Sequence, residues 1–194
     1  MTATPDTSRT PRSRQIVTAA RELLEQDGLE GLSMRRVAER VGIRASSLYK
    51  HLPDKRALEA ALISDGLAEW ADLAEQAARA NDNALDAVAQ TYRSFAQQHP
   101  HLYRLMTERA LPRDALAPGV EARAARVMID AAGGDANLAR ALWAFAHGMA
   151  ILELNQRFPP DADLDGAWRR GLEDRKSTRL NSSHTATSRM PSSA

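Results

Sequence analysis

The chain contains no cysteine, only nine aromatic residues and no long uninterrupted apolar run. The lack of cysteine excludes disulfides, thiolate metal ligands and thiol nucleophiles together. No window reaches the ~18 to 20 apolar residues that a membrane-spanning helix needs, and the first fifteen residues carry charge and proline where a secretory signal would be apolar. We therefore expect a soluble, cytoplasmic protein, and its 194 residues suffice for an ordinary globular core.

Charge is unevenly distributed although the net charge is only +1. Residues 1–60 hold eleven Lys and Arg against eight Asp and Glu, which makes the front of the chain +3. Residues 61–170 hold eleven basic against fifteen acidic residues and are therefore −4. This asymmetry suggests that the two parts meet different partners, with a polyanion as the partner of the first.

Apolar residues recur at helical spacing throughout, and no run of alternating β-branched residues occurs, so we predict an all-α fold. The first apolar stripe consists of Ile16, Ala19, Ala20, Leu23 and Leu24. It predicts a helix from Pro11 to Asp27 that Gly28 ends with a left-handed cap. Ser33 can cap a second helix, which Gly42 closes.

A short third helix is predicted at 44–52, and it has too few apolar residues to be ordinary core. A long fourth helix is predicted to begin after Asp54 and to break near Asn81. The helix that follows must stop before Pro100, because a proline disfavours helical backbone in the residue ahead of it. A later, strongly apolar helix is predicted to run through Phe158.

Three helices within about 40 residues, with a glycine between the second and third, form the outline of a helix-turn-helix. A helix of side-chain diameter ~10 to 12 Å fits the major groove of B-DNA, where its first turns face base edges. Residues 45–47 are small, which allows close backbone approach, and Leu48 is expected to face inward. Tyr49, Lys50 and His51 are expected on or beside the outward arc.

The stretch GLEGLSMRRVAERVGIRASSLYKHLPDKRAL resembles the DNA-binding domain of TetR-family transcriptional regulators. The family's Gly-Leu-x-Gly-Leu-Ser loop, its Ala-x-x-x-Gly turn and its Leu-Tyr-x-His recognition helix occur here with no gap, and the match spans about 10–70. Two residues depart from the pattern: Arg44 replaces the usual Ser or Thr cap, and Leu52 replaces the usual Phe. The resemblance implies the following DNA-binding residues: Ser33, Arg35, Arg36, Arg44, Ala45, Ser46, Ser47, Tyr49, Lys50, His51 and Lys55.

The rear of the chain resembles one type of TetR-family C-terminal domain through Trp143, His147 and Gly148, which match a Trp-His-Gly signature. This resemblance implies a dimer in which the last two helices of each protomer form a four-helix bundle. The expected dimer-interface residues are Leu138, Leu142, Phe145, Met149, Leu152, Trp168 and Leu172. The expected effector-pocket residues are Trp70, Tyr92, Phe95, Tyr103, Met106, Trp143 and His147.

The predicted organisation is therefore an all-α chain with two functional domains and two disordered ends. An N-terminal arm at 1–9 precedes a TetR-type DNA-binding domain at 10–70, which contains the helix-turn-helix at 33–52. A helical effector-binding and dimerisation domain follows at 71–174. The serine-, threonine- and arginine-rich tail at 175–194 resembles translated cloning sequence and is predicted to be non-native.

The resemblance implies a homodimeric, sequence-specific DNA-binding regulator: a repressor that a small-molecule effector releases from double-stranded operator DNA. No cofactor, metal ion, membrane or enzymatic activity is expected. Simpler roles remain open for single residues, since Ser33 caps a helix with or without DNA and Tyr49 can be a packing residue. Two other classes also remain open: a small-molecule binder whose helix-turn-helix does not engage DNA, and an all-α enzyme using His147 and Glu153.

Overall fold

A computed structural model describes residues 9–173, and this part of the chain is helical without any β-strand, which confirms the predicted fold class. Its helices are α1 (Pro11–Gly31), α2 (Met34–Val41), α3 (Ala45–Leu48), α4 (Lys55–Ala80), α5 (Ala84–Gln98), α6 (Pro100–Thr107), α7 (Val120–Ala131), α8 (Ala136–Leu154) and α9 (164–173), with one turn of 3-10 helix at Arg113–Ala115. No helix in this range is long and apolar enough to cross a bilayer. Residues 1–8 of the expected arm and the expected tail at 175–194 lie outside the described residues.

Side-chain oxygens mark several helix starts, because they accept hydrogen bonds from the N–H groups that have no partner in the first turn. Ser33 accepts from the backbone N–H of Arg36 and starts α2, as predicted. Asp54 accepts from the N–H of Ala57 at 2.7 Å and starts α4. Polar caps thus explain why these helices begin where they do.

Two helix ends differ from the sequence-based expectation. Gly28 has the expected positive φ (69°), but helical turns resume after it and α1 continues to Gly31. At the other end of the chain, α8 stops at Leu154 instead of continuing through Phe158. Gln156 has a φ of 51°, a left-handed conformation that cannot continue a right-handed helix.

The chain divides into two compact units, residues 1–128 and 129–194. In the first unit α1 packs on α2, α4 and α6, while α4 also packs on α5 and α6. Its fully buried side chains include Ile16, Leu24, Leu32, Val37, Leu48, Leu58, Leu62 and Leu102. Because α4 runs unbroken across the expected domain boundary between residues 70 and 71, the two expected domains share this helix.

The second unit contains α8 and α9, which meet through aromatic side chains. The rings of Phe145 and Trp168 form an edge-to-face pair with centroids 5.8 Å apart, a favourable arrangement for aromatic side chains. Trp168 is fully buried, and its indole N–H donates a hydrogen bond to the Glu153 carboxylate. This single tryptophan therefore supplies both apolar contact and a satisfied polar group between the two helices.

Candidate nucleic-acid interface

The turn between α2 and α3 depends on Gly42, which adopts the left-handed conformation (φ 71°, ψ 35°). Its N–H donates to the Glu39 carbonyl at 3.1 Å, and the Ile43 N–H donates to the Ala38 carbonyl at 2.9 Å. These two bonds close the end of α2 in the way expected of a left-handed glycine cap. A Cβ atom at Gly42 would meet no other atom within 4 Å, so the need for glycine is conformational and not steric.

The helix that follows is shorter than predicted. Only Ala45–Leu48 is α-helical, whereas 44–52 was expected. Hydrogen-bonded turns follow α3 and continue to residue 52, since the N–H groups of His51 and Leu52 both donate to the Leu48 carbonyl. Arg44 makes no side-chain cap, and Pro53 follows immediately, so neither end of the segment favours a longer helix.

The inward and outward faces of this segment are clearly separated. Leu48 and Leu52 are buried and anchor α3 to the first unit, where α3 packs on α2. The exposed side chains are Arg44, Ala45, Ser46, Tyr49, Lys50 and His51, and Ser47 is half-buried. The exposed side chains are thus small at the start of α3 and include a cation, Lys50, beyond its end, an arrangement suited to contact with DNA.

Cations on this surface differ in how they are paired. Among the residues that the structure describes, no carboxylate pairs with Arg44 or Lys50. The Nε of Arg35 donates to Glu39 at 2.8 Å, and both side chains are exposed. Lys55 Nζ is also exposed and lies 3.7 Å from the carboxylate of Glu59, which is half-buried. Exposed pairs of this kind contribute little and exchange readily for a phosphate.

Arg36 has a packing role that the sequence analysis did not anticipate. Its guanidinium donates to the Asp27 carboxylate at 2.5 Å and to the Gly31 carbonyl at 2.8 Å, both at the end of α1. Arg40 binds α1 in the same way through Glu22. These arginines hold α2 against α1 and so help to orient the helix-turn-helix, while the expectation that Arg36 contacts DNA stays a prediction.

Several expected effector-pocket residues come together in the first unit. Trp70, Tyr92, Phe95 and Tyr103 are buried, and Met106 is half-buried. The Trp70 and Tyr92 rings are edge-to-face with centroids 6.1 Å apart, and those of Tyr92 and Tyr103 are 5.6 Å apart. We call Trp70, Tyr92 and Tyr103 the aromatic cluster. The other two expected residues, Trp143 and His147, belong to the second unit, with ring centroids 6.3 Å apart.

The polar atoms of the aromatic cluster differ in whether they have a hydrogen-bond partner. The hydroxyls of Tyr92 and Tyr103 are hydrogen-bonded to each other at 3.0 Å. Burial, together with the neighbouring Tyr92, raises the pKa of Tyr103 far above its ordinary value, so this hydroxyl stays protonated. The indole N–H of Trp70 is buried and has no hydrogen-bond partner among the described residues, a situation that costs about 1–3 kcal/mol.

Close packing of α4 on α6 borders the aromatic cluster at Gly66. A Cβ atom added there would lie 2.6 Å from the Met106 sulfur and 2.8 Å from a Leu102 methyl carbon. These distances are too short for real contacts, so any larger residue at Gly66 would force the Met106 and Leu102 side chains to move. The α4–α6 contact at Gly66 is a feature that helical periodicity alone does not reveal.

The expected dimer-interface residues divide between the inside and the outside of the chain. Leu142, Trp168 and Leu172 are buried, while Leu138, Phe145 and Met149 are half-buried and Leu152 is exposed. Trp143 is 46% exposed and Ala144, one residue on, is also exposed. Three of the seven expected interface residues are therefore buried within the second unit, while α8 keeps an exposed outer face. Glu153, the expected acid of the enzyme alternative, accepts the Trp168 hydrogen bond.

Two family models match this chain. The model described as bacterial regulatory proteins, tetR family, matches residues 16–62, which include α2, the Gly42 turn and α3. The model described as tetracyclin repressor-like, C-terminal domain, matches residues 85–174. The chain belongs to the TetR family. As a TetR-family protein it is a DNA-binding transcriptional regulator, and its helix-turn-helix is the interface described above.

Individual relatives agree with this assignment. The chain is 25% identical over 159 residues to the uncharacterized HTH-type transcriptional regulator YobS of Bacillus subtilis, which covers 78% of this chain and 83% of YobS. It is 34% identical over 89 residues to the class D tetracycline repressor of Escherichia coli, but that match covers 46% of this chain and only 36% of the repressor. A TetR-family structure from Streptomyces coelicolor superposes with a TM-score of 0.62 at 25% identity, covering 86% of this chain and 98% of that one.

Proposed function

We propose that this TetR-family regulator is a cytoplasmic homodimeric repressor that places α3 of each protomer in the major groove of operator DNA. The observation that carries the proposal is the exposed face of α3, where small side chains lead and Lys50 and Arg44 have no carboxylate partner among the described residues. Cations left without an internal partner are available to phosphates, whose contacts supply most of the affinity. Small residues beside them leave the base edges within reach.

The proposed contacts divide into two groups. Arg35, Ala45, Ser46 and Ser47 face base edges, and their side chains set the sequence preference. Ser33, Arg44, Tyr49, Lys50, His51 and Lys55 hold phosphates. Ser33 can do so while capping α2, because its oxygen accepts from the Arg36 N–H and its hydroxyl hydrogen remains available to donate.

Replacing Lys50 with alanine should weaken binding to a duplex from the region upstream of the protein's own gene by about tenfold at moderate salt. For a dimer, the slope of log affinity against log salt should also become shallower by about two, one phosphate contact being lost per protomer. Fluorescence anisotropy over a series of salt concentrations measures both quantities.

The matched control for Lys50→Ala is Arg79→Ala, which removes one exposed cation from the last turn of α4. Arg79 lies about 36 Å along that helix from Lys55, too far to meet the same DNA. Arg79→Ala should leave both affinity and salt slope unchanged. If Lys50→Ala and Arg79→Ala behave alike, or if wild-type protein fails to bind duplex even in dilute buffer, the proposal is wrong.

Dimerisation is proposed to use the outer face of α8 together with α9. Pairing is needed because two recognition helices must reach half-sites about 34–36 Å apart. Gly148 supports this surface: it lies in the middle of α8, where glycine costs about 1 kcal/mol relative to alanine. A Cβ atom at Gly148 would meet no other residue of the described range 9–173 within 4 Å beyond its own helix backbone and chain neighbours, so a partner protomer is the proposed reason for the glycine.

Gly148→Leu should therefore raise the dimer dissociation constant about tenfold or more, because overpacking an interface costs about 1–3 kcal/mol. Sedimentation equilibrium over a range of protein concentrations gives that constant, and circular dichroism checks that helix content is kept. Gln76→Leu, which adds the same side chain to an exposed position on α4, is the control. Equal dissociation constants for both variants would place the dimer interface elsewhere.

The effector is proposed to bind at the aromatic cluster. Support comes from the buried Trp70 N–H, which lacks a partner among the described residues and can donate to an acceptor on a small molecule. Effector binding would then favour a conformation in which the two recognition helices are spaced so that they do not fit the operator. The size of this shift depends on how much more tightly the effector binds that conformation than the DNA-binding one. The Trp-His-Gly type of C-terminal domain, indicated by Trp143, His147 and Gly148, is part of this proposal.

A further inference from the structure

An ion pair joins the start of α4 to a distant loop. The guanidinium of Arg56 donates to the Asp114 carboxylate at 2.5 Å, across 58 positions of sequence. Both side chains are exposed, so the pair lies where DNA or solvent ions can reach it. The hydrogen bond raises the pKa of Arg56 and lowers the pKa of Asp114, so both partners stay charged.

The loop that carries Asp114 is held in place by contacts of its own. Ser64, which is buried in α4, accepts a hydrogen bond from the Ala117 N–H at 2.9 Å and donates to the Ala60 carbonyl at 2.8 Å. The neighbouring Arg113 donates to the Glu121 carboxylate at 2.9 Å. The loop is therefore positioned independently of Arg56, and the Asp114 carboxylate is presented to the guanidinium at small entropic cost.

The position of Arg56 matches that of a DNA-binding cation. It follows Lys55, a proposed phosphate contact, and lies in the first turn of α4, close after the segment that carries α3. The Ala57 N–H next to it is already capped by Asp54, and the exposed guanidinium offers a binding group of its own. A guanidinium pairs with carboxylate and phosphate oxygens through the same planar donor geometry.

We propose that Arg56 is a phosphate-binding residue whose site Asp114 fills in the free protein, so that the 109–119 loop lowers the affinity for DNA. This inference rests on the proposed DNA-binding function. DNA and Asp114 compete for one guanidinium, and binding exchanges one anion for another.

The decisive variant is Asp114→Asn, which keeps the side-chain shape and removes the charge. The dimer should bind duplex about two- to thirtyfold more tightly, the range expected for loss of one exposed ion pair in each protomer. The salt slope should also become steeper by about one per protomer, because Arg56 then releases a solution anion instead of Asp114 when it meets phosphate. Anisotropy titrations with the upstream duplex at several salt concentrations give both values.

Two further variants make the test specific. Asp82→Asn makes the same charge change at an exposed position between α4 and α5 and should alter affinity and slope far less. When Arg56 is already replaced by alanine, Asp114→Asn should raise the affinity for duplex no more than Asp82→Asn does. If Asp114→Asn resembles Asp82→Asn, or acts equally with and without Arg56, the competition is disproved while DNA binding stands. If wild type shows no duplex binding at low salt, the inference fails together with the proposed function.

Discussion

Leu48→Ala is expected to lower the free energy of unfolding by about 2–4 kcal/mol and to reduce DNA binding below detection at moderate salt. Leu48 is fully buried and is the side chain that fixes the four-residue helix α3 to the rest of the unit. Truncation removes this anchor and leaves a cavity that a helix of one turn cannot fill by relaxing. The exposed residues 44–47 then lose the fixed orientation that groove contact needs.

Leu73→Ala is the matched control, because Leu73 is a leucine on α4 that is 38% exposed. It should cost less than about 1 kcal/mol and leave DNA affinity unchanged. Urea unfolding followed by circular dichroism compares the two variants at equal protein concentration, and anisotropy compares their DNA binding. A Leu48→Ala protein that binds duplex like wild type would show that α3 is not the reading element.

Trp168→Ala is expected to be the most destabilising single change, at about 3–5 kcal/mol. The substitution removes a fully buried ring, its edge-to-face contact with Phe145 and the donor to Glu153 in one step. The Glu153 carboxylate would be left without this partner, which adds to the cost of the cavity. The second unit should lose its fixed packing, and dimerisation should weaken with it.

Trp143→Ala provides the comparison, since this tryptophan lies on α8 and is about half exposed. Its effect on unfolding at a fixed, low protein concentration should be about 1 kcal/mol or less. Both variants must be measured at the same concentration, because a dimer gains stability with concentration. Similar losses for the two tryptophans would contradict the assignment of Trp168 to the interior of the second unit and of Trp143 to the outer face of α8.

The helix-turn-helix could be predicted from sequence because its signals are local. Gly42 ends α2, Ser33 caps it, and Leu48 sits at the inward position that helical spacing assigns. Each of these depends on a few neighbouring residues, so the pattern is visible in the sequence alone. The length of α3 was overestimated because residues 49–52 keep helical turns without regular helix, a distinction that spacing does not resolve.

Contacts between distant positions could not be predicted. The role of Arg36 depends on Asp27 in another helix, and that of Arg56 on Asp114, 58 positions away. Any of several arginines and carboxylates of similar exposure could have paired, and helical periodicity does not choose among them. For the same reason the apolar residues of α8 could be recognised as buried or interfacial but not sorted into the two classes.

Gly66 gives the ligand-responsive part of the molecule a direction of movement. With no side chain between α4 and α6 at this point, the helices are already at their distance of closest approach. If the proposed effector binds at the aromatic cluster, it finds no free space between α4 and α6 at Gly66, and we expect it to move α6 outward or along α4. The response at the start of α4, about 16 Å away, would then begin as an expansion.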